Sequence, residues 1–129
     1  MEFNFNDDQK AIRELAYQIF SDRASDEFML NFSRTDEVYD EGLWQTLAEQ
    51  GMLGIAVPEE HGGTGLGFVE LCLMLEEQGR RVAPVPLLSS LVLGGMALSQ
   101  FGTVEAQQQW LPALAAGKAK LSAAIAEMN

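Results

Sequence analysis

The sequence predicts an all-α domain, and three observations support this fold class. Apolar residues recur at the three- and four-residue spacing of helices along most of the chain. Capping residues, glycines and prolines separate these segments at the points where helices begin and end. With 129 residues, 47% of them hydrophobic, the chain is long enough and apolar enough to bury a core of its own.

The first two predicted helices have clear apolar faces. Helix one covers residues 7–24, and Asn6 with Gln9 three positions later has the form of a capping box at its start. Helix two is centred on Trp44, and Gly51 is placed to end it in a left-handed conformation. Residues 25–35, between the two helices, have no clear periodicity, so no element is predicted there.

The middle of the chain combines a short apolar stretch, a loop and a third helix. Residues 52–58 fit either a brief strand or a buried connector. A glycine-rich loop, residues 58–67, leads into a helix that starts at Phe68 and ends at Gly79. This helix is apolar nearly all round, which predicts a central position packed on several sides, with Cys72 in the core.

Prolines mark the last part of the chain. Residues 84–86, Pro-Val-Pro, predict an extended break that opens a fourth helix. Thr103 caps a fifth helix, in which Pro112 predicts a kink or a split. Residues 121–129 read as the first strand of a further β domain, so the helical domain is predicted to comprise residues 1–120.

Charge and composition exclude several classes of function. The net charge is −11, from 19 acidic and 8 basic residues, and such a surface repels the phosphates of nucleic acids. No signal peptide is visible, and the most apolar stretch, residues 82–98, falls short of the ~20 apolar residues of a spanning helix. A single cysteine fits a reducing compartment and leaves no Cys-rich metal cluster. These features predict a soluble cytoplasmic protein without a membrane span, a nucleic-acid partner or a metal.

The glycine-rich loop lacks the spacing of a phosphate site. A dinucleotide fingerprint needs glycines at i, i+2 and i+5, and the third position falls on Phe68 or Glu70 in the two registers. Glu59 and Glu60 in the loop would also repel phosphate. His61, the only histidine, has no nucleophile motif beside it, which favours a surface role in a mobile loop. No residue of this chain is therefore predicted to be catalytic.

The same loop has the form of a family signature. Residues 51–67, GMLGIAVPEEHGGTGLG, strongly resemble a Gly-x-x-Gly-x-x-x-Pro-Glu-x-x-Gly-Gly-x-Gly run in the N-terminal helical domain of acyl-CoA dehydrogenases. The Leu-Trp pair at 43–44, Glu-Glu-Gln-Gly-Arg at 76–80 and Gln-Gln-Gln-Trp-Leu-Pro at 107–112 follow in the family's order. The resemblance covers essentially the whole chain and implies an orthogonal multi-helix bundle of about five to six helices. Complete members add a β domain and a C-terminal four-helix domain, and they bind FAD.

The resemblance also implies a reaction. In the family a glutamate base removes the α-proton of an acyl-CoA thioester while the β-hydride passes to the flavin, and an electron-transfer flavoprotein usually takes the electrons. The resemblance places this base beyond the end of the present chain. It places Pro86, Ser89, Ser90 and Leu93 on the helix that lines the acyl cavity. From the residues alone, the serine hydroxyls are expected to bond back to their own helix instead.

The last residues match the family's flavin-contacting segment, which corresponds to Ala124, Ile125 and Ala126. Ala126 stands where a threonine commonly bonds the flavin, so only a backbone contact is expected there, and Met128 stands at the usual proline. Residues 80–86 are similar to members from steroid catabolic clusters, some of which work as heteromeric pairs. A homo- or hetero-oligomer is therefore expected. Two alternatives stay open: a flavin-dependent monooxygenase of the same fold, and a non-catalytic helical subunit or interaction domain.

Overall fold

The computed structural model describes residues 3–126, and the chain is helical without strands over that range, as the sequence predicts. The elements are, in chain order, α1 (Asp7–Arg23), α2 (Asp26–Phe32), α3 (Glu41–Glu49), the 3-10 turns Met52–Gly54 and Glu59–His61, α4 (Phe68–Arg81), the π-helix Leu88–Met96, α5 (Ala97–Phe101) and α6 (Val104–Ala115). None of these helices is both long and apolar enough to cross a membrane.

The start of α1 confirms the predicted capping box. The Asn6 side chain accepts a hydrogen bond from the Gln9 backbone N–H at 2.8 Å, and the Gln9 side chain accepts one from the Asn6 backbone N–H at 3.0 Å. Ala16, Ile19 and Phe20 on the predicted apolar face are buried. The most extensive contact of α1 with another helix is with α4, so this pair forms one side of the core.

Two stretches that the sequence left open are helical. Residues 25–35 contain α2, whose start is capped by the Ser25 hydroxyl accepting from the Phe28 N–H at 3.2 Å. No residue of this helix is buried, which explains why it has no apolar periodicity. Of the two alternatives for residues 52–58, the buried connector is confirmed, because its 3-10 turn lies in the core.

Helix α4 differs from its prediction in length and in position. It continues through Gly79 to Arg81, and the left-handed residue that ends it is Val82, with φ of 51°. The prediction that Cys72 is a core residue is wrong, because the side chain is exposed. Phe68 is exposed as well, so only part of α4 packs into the domain and an apolar face of the helix remains open.

Helix α6 is unbroken, so the predicted split at Pro112 is wrong. Pro112 is exposed, as is Gln108, whose carbonyl group would have met the missing N–H, so water can satisfy the lost hydrogen bond. The turn that follows the end of the helix at Ala115 contains Gly117, which has φ of 73°, and the Lys118 N–H donates to the Ala113 carbonyl at 2.8 Å. This six-residue closure is a Schellman motif, which requires a left-handed residue at that point.

Trp44 joins α3 to this turn at the centre of the domain. The indole is fully buried, and its Nε1–H donates to the Gly117 carbonyl at 2.9 Å. Gly117 lies so close to α3 that an added Cβ would stand 2.7 Å from the Cβ of Ala48. The position therefore needs glycine both for its backbone conformation and for its close approach to α3.

Gly117→Ala is expected to lower the free energy of unfolding by about 2 kcal/mol or more, because a left-handed alanine and the overlap with Ala48 both cost energy. Gly79→Ala is the matched control. Gly79 lies exposed within α4 with open space around it, so alanine should stabilise the chain by up to about 1 kcal/mol. Denaturant unfolding measures both variants, and equal effects of the two substitutions would contradict this account of Gly117.

Candidate functional site

The candidate site is the apolar π-helix and the chain that packs beside it. The approach to this helix is held by Gln78, whose side-chain amide donates to the carbonyl groups of Ala83 at 3.0 Å and Val85 at 2.7 Å. This confirms the break that the Pro-Val-Pro run predicts, and the helix follows it directly. No charged residue lies between positions 87 and 101, so any surface that this helix presents is uncharged.

The π-helical turn decides which side chains reach the surface. A π-helix closes its hydrogen bonds five residues on instead of four, so residues four or five apart share a face. Leu88 is 57% exposed, Leu93 is 40% exposed and Phe101 is 84% exposed, and Ala97 lies exposed between the last two. These four residues form the outer face of the π-helix and of α5, which continues it, and we keep the name outer face for them below.

The predicted acyl-pocket residues are divided between two sides of the helix. Leu93 belongs to the outer face, and Pro86 and Ser89 are half-buried. The Ser89 hydroxyl donates to the Pro86 carbonyl at 3.2 Å, which is the local bond that the sequence favours. Ser90 has no exposed surface. The assignment of these four residues to an acyl pocket stays a prediction.

Ser90 bonds to a segment far along the chain. Its hydroxyl donates to the Leu121 carbonyl at 3.1 Å and accepts from the Leu121 N–H at 3.2 Å. Gly94, four residues later on the π-helix, has no room for a side chain, because a Cβ there would overlap Leu121. The sequence contains the residues of this contact, but nothing in their spacing predicts a pairing across 31 positions.

Beyond this contact the chain is exposed. We call residues 118–126 the post-α6 segment. Ala124, Ile125 and Ala126 all lie at the surface, and residues 121–126 form no strand. Their assignment to flavin binding and the start of a β domain at residue 121 stay predictions, and Met128 lies outside the described residues.

Lys120 in the post-α6 segment contacts α3 through a cluster that the sequence analysis missed. Its ammonium group lies 3.2 Å from Glu41, 4.6 Å from the centre of the Tyr39 ring and 5.2 Å from that of Trp44. Hydrogen bonds from Tyr39 first, and then from Gln45 and Lys120, lower the pKa of Glu41 from 4.5 to about 2. The ion pair therefore ties the segment to the same helix that Trp44 anchors.

The glycine-rich loop is more firmly held than its composition predicts. Backbone N–H groups of Thr64, Gly65 and Leu66 donate to carbonyl groups of the buried connector at 3.0, 2.9 and 2.8 Å. Gly63 packs so closely on Val57 that it has no room for a Cβ. The side chain of His61 is only 11% exposed, so the expectation of a surface histidine in a mobile loop is wrong. The loop covers the core.

The carboxylates of Glu76 and Glu77 form salt bridges with two arginines. Glu77 is buried, and its Oε1 lies 3.1 Å from Nε of Arg13 on α1 and 3.4 Å from Nε of Arg80. Glu76 pairs with the same two arginines at 3.5 and 3.3 Å. This network joins α1 to α4. Across residues 3–126 no cluster of three potential metal ligands is found.

Comparison with known proteins gives a consistent result. A family model described as "Acyl-CoA dehydrogenase, N-terminal domain" matches residues 6–118. The acyl-CoA dehydrogenase FadE27 of Mycobacterium tuberculosis is 31% identical over 125 residues, which are 97% of this chain and 34% of that protein. The chain thus spans about a quarter to a third of the length of the curated relatives that it matches.

Solved structures agree with the family match. The Tcur3481–Tcur3483 steroid ACAD variant is 43% identical with a TM-score of 0.83, over 89% of this chain and 31% of that one. The ChsE4–ChsE5 complex from Mycobacterium tuberculosis is 31% identical with a TM-score of 0.88, over 95% of this chain and 34% of that one. An acyl-CoA dehydrogenase complexed with FAD from Bacillus anthracis is 27% identical with a TM-score of 0.78, over 92% of this chain and 21% of that one.

Glu41→Gln is expected to flatten the dependence of stability on pH in acid. Because folding lowers the pKa of Glu41 from 4.5 to about 2, its stabilisation is complete above the higher value and is lost as the pH falls through the lower one. The denaturant midpoint of the unaltered chain should therefore fall more steeply between about pH 5 and pH 2 than that of the variant.

Glu49→Gln serves as the control, since Glu49 is an exposed carboxylate at the end of the same helix. This variant should keep the original slope. Parallel pH profiles for Glu41→Gln and the unaltered chain would show that folding does not lower the pKa of Glu41 and would contradict the hydrogen bonding described for its carboxylate.

Proposed function

Since the chain belongs to the acyl-CoA dehydrogenase family, in which it matches the N-terminal domain, we propose that it forms one wall of the acyl-thioester pocket of a longer FAD-dependent dehydrogenase. The observation that supports this most directly is the outer face of the π-helix. Leu88 and Leu93 expose apolar side chains on one side of a helix without charges, and a continuous apolar surface of this kind is typical of a face that another group covers.

The wall would bind and orient the acyl group. Apolar side chains on a rigid helix exclude water and hold the α- and β-carbons in a fixed position, which lowers the entropic cost of reaction. The α-proton would pass to a glutamate base in the part of the parent protein that follows this domain. The flavin, when bound, would accept the β-hydride, so that the thioester becomes a trans-2-enoyl-CoA and the flavin is reduced.

The flavin would meet the end of this domain at Ala124, Ile125 and Ala126. These side chains are exposed and aliphatic, so only backbone N–H and carbonyl groups are available to hydrogen-bond a flavin edge. Such a contact fits the group but contributes only part of its binding. Most of the affinity for FAD must therefore come from other parts of the parent protein.

The substrate class we propose is a bulky, steroid-type acyl-CoA, handled by a homo- or hetero-oligomer in the cytoplasm. The 43% identity to the Tcur3481–Tcur3483 steroid ACAD supports the substrate. Both this protein and the ChsE4–ChsE5 complex carry the names of two components, which supports an oligomer. Reoxidation of the flavin by an electron-transfer flavoprotein completes the proposed cycle.

The purified 129-residue chain is expected to fold, to bind no stoichiometric FAD and to oxidise no acyl-CoA. The parent protein should bind FAD and form an enoyl-CoA. A yellow, active 129-residue chain would refute the assignment to one wall of the pocket. If the reduced parent protein consumes oxygen and forms no enoyl product, the proposed dehydrogenase is wrong, and a monooxygenase of the same fold is the better assignment.

Leu93→Trp in the parent protein is expected to raise KM for a bulky acyl-CoA by about tenfold or more and to affect a short acyl-CoA much less, because pocket contacts discriminate by acyl size. Val38→Trp is the control, since Val38 is 90% exposed and lies outside the π-helix. Steady-state kinetics with both substrates measures the effect. Identical kinetics for Leu93→Trp and the control would show that Leu93 does not line the acyl pocket.

A further inference from the structure

Ser90 is a polar residue that is fully buried in an apolar helix, and its hydroxyl makes two hydrogen bonds to one distant residue. The O–H donates to the Leu121 carbonyl at 3.1 Å while the oxygen accepts from the Leu121 N–H at 3.2 Å. A serine hydroxyl has a single proton to donate, so none is left for a ligand. Because Ser90 also has no exposed surface, its hydroxyl contacts the post-α6 segment and is not open to a bound molecule.

Gly94 supports the same contact independently of the hydrogen bonds. A Cβ at this position would overlap the Cβ of Leu121, so only glycine lets the segment come within bonding distance of Ser90. On a π-helix residues 90 and 94 are one turn apart and share a face. Together Ser90 and Gly94 form the contact site of one residue, Leu121, and we call this site the Leu121 seat.

This seat is the last fixed point of the segment before the proposed flavin contact. Residues before it are held by other groups: the Lys118 N–H donates to the Ala113 carbonyl at 2.8 Å, and Lys120 pairs with Glu41 at 3.2 Å. Residues 122–126 are exposed. Leu121 is thus the residue nearest to 124–126 for which another element of the domain supplies hydrogen bonds.

We propose that Ser90 is a positioning residue that couples the acyl wall to the flavin-contacting segment. The inference rests on the proposed function, because it takes residues 124–126 as the flavin contact and the outer face as the acyl wall. Leu93 lies on the outer face, whereas Ser90 lies on a buried side of the same helix and holds Leu121 through two hydrogen bonds. A shift of this helix therefore moves both components of the site together, and their relative distance is preserved.

The first test uses the 129-residue chain itself. In Ser90→Ala, hydrogen exchange at the Leu121 amide should accelerate by about tenfold or more, the change expected when one or two ordinary hydrogen bonds are lost. Ser89→Ala is the matched control, because its hydroxyl donates to the carbonyl of Pro86 three residues earlier, and Leu121 should keep its protection. Exchange at the core residue Leu47 reports global stability in each variant.

The result that overturns the contact is equal protection of Leu121 in both variants, or a loss at Leu121 that only parallels the loss at Leu47. If Ser90→Ala does not fold, Ser90→Cys preserves the volume with a much weaker donor and acceptor, and the same local loss is expected. Retained protection of Leu121 in Ser90→Cys would overturn the contact as well.

The second test uses the parent protein. Ser90→Ala should release FAD more readily and shift the flavin absorption band, whereas Ser89→Ala should leave the spectrum unaltered. An unaltered flavin spectrum and affinity in Ser90→Ala would overturn the positioning role even where Leu121 loses protection. A parent protein that binds no flavin at all would refute the proposed function instead, and the exchange result in the isolated chain would stand.

Discussion

The hydrogen bond from the Trp44 indole to the Gly117 carbonyl is the contact on which the arrangement of this domain depends. It joins positions that are 73 residues apart, and the indole is completely removed from water. A buried N–H without a partner costs about 1–3 kcal/mol, so the turn after α6 is held where the indole needs it. That constraint decides where the chain lies when it leaves α6.

The groups of the candidate site follow from this one placement. Once Gly117 is fixed, Lys120 comes within 3.2 Å of Glu41, and Leu121 reaches Ser90 on the π-helix. Each contact uses a different interaction. Trp44 donates an indole hydrogen bond, and Lys120 forms an ion pair with Glu41 beside aromatic rings. The Ser90 hydroxyl bonds to Leu121 where Gly94 leaves room for it. The first part of the post-α6 segment, up to Leu121, is therefore positioned by contacts with the helical domain itself.

Much of the fold could be predicted from the sequence, because its signals are local. The capping box at Asn6 and the left-handed Gly51 depend on neighbours within one helical turn, and both have the predicted form. The wrong predictions concern features that depend on contacts between residues far apart in the sequence. Cys72 lies in a run of apolar residues, but whether a helix face is covered depends on what packs there, and in this domain the face of Cys72 is open. Sequence spacing also cannot reveal a π-helix, so Ser90 and Leu93, three residues apart, fall on different sides and not on the common face that an α-helix would give them.

The most direct test of this account is hydrogen exchange at the two tryptophan indoles, followed by NMR in deuterated water. The chain contains two tryptophans, and Trp110, which is 42% exposed, is an internal reference. Assignment is straightforward with a Trp110→Phe variant. The account predicts that the Trp44 indole proton exchanges only on unfolding of the domain, while that of Trp110 exchanges rapidly. Rapid exchange of both protons in the folded chain would contradict the claim that the Trp44–Gly117 hydrogen bond anchors the domain.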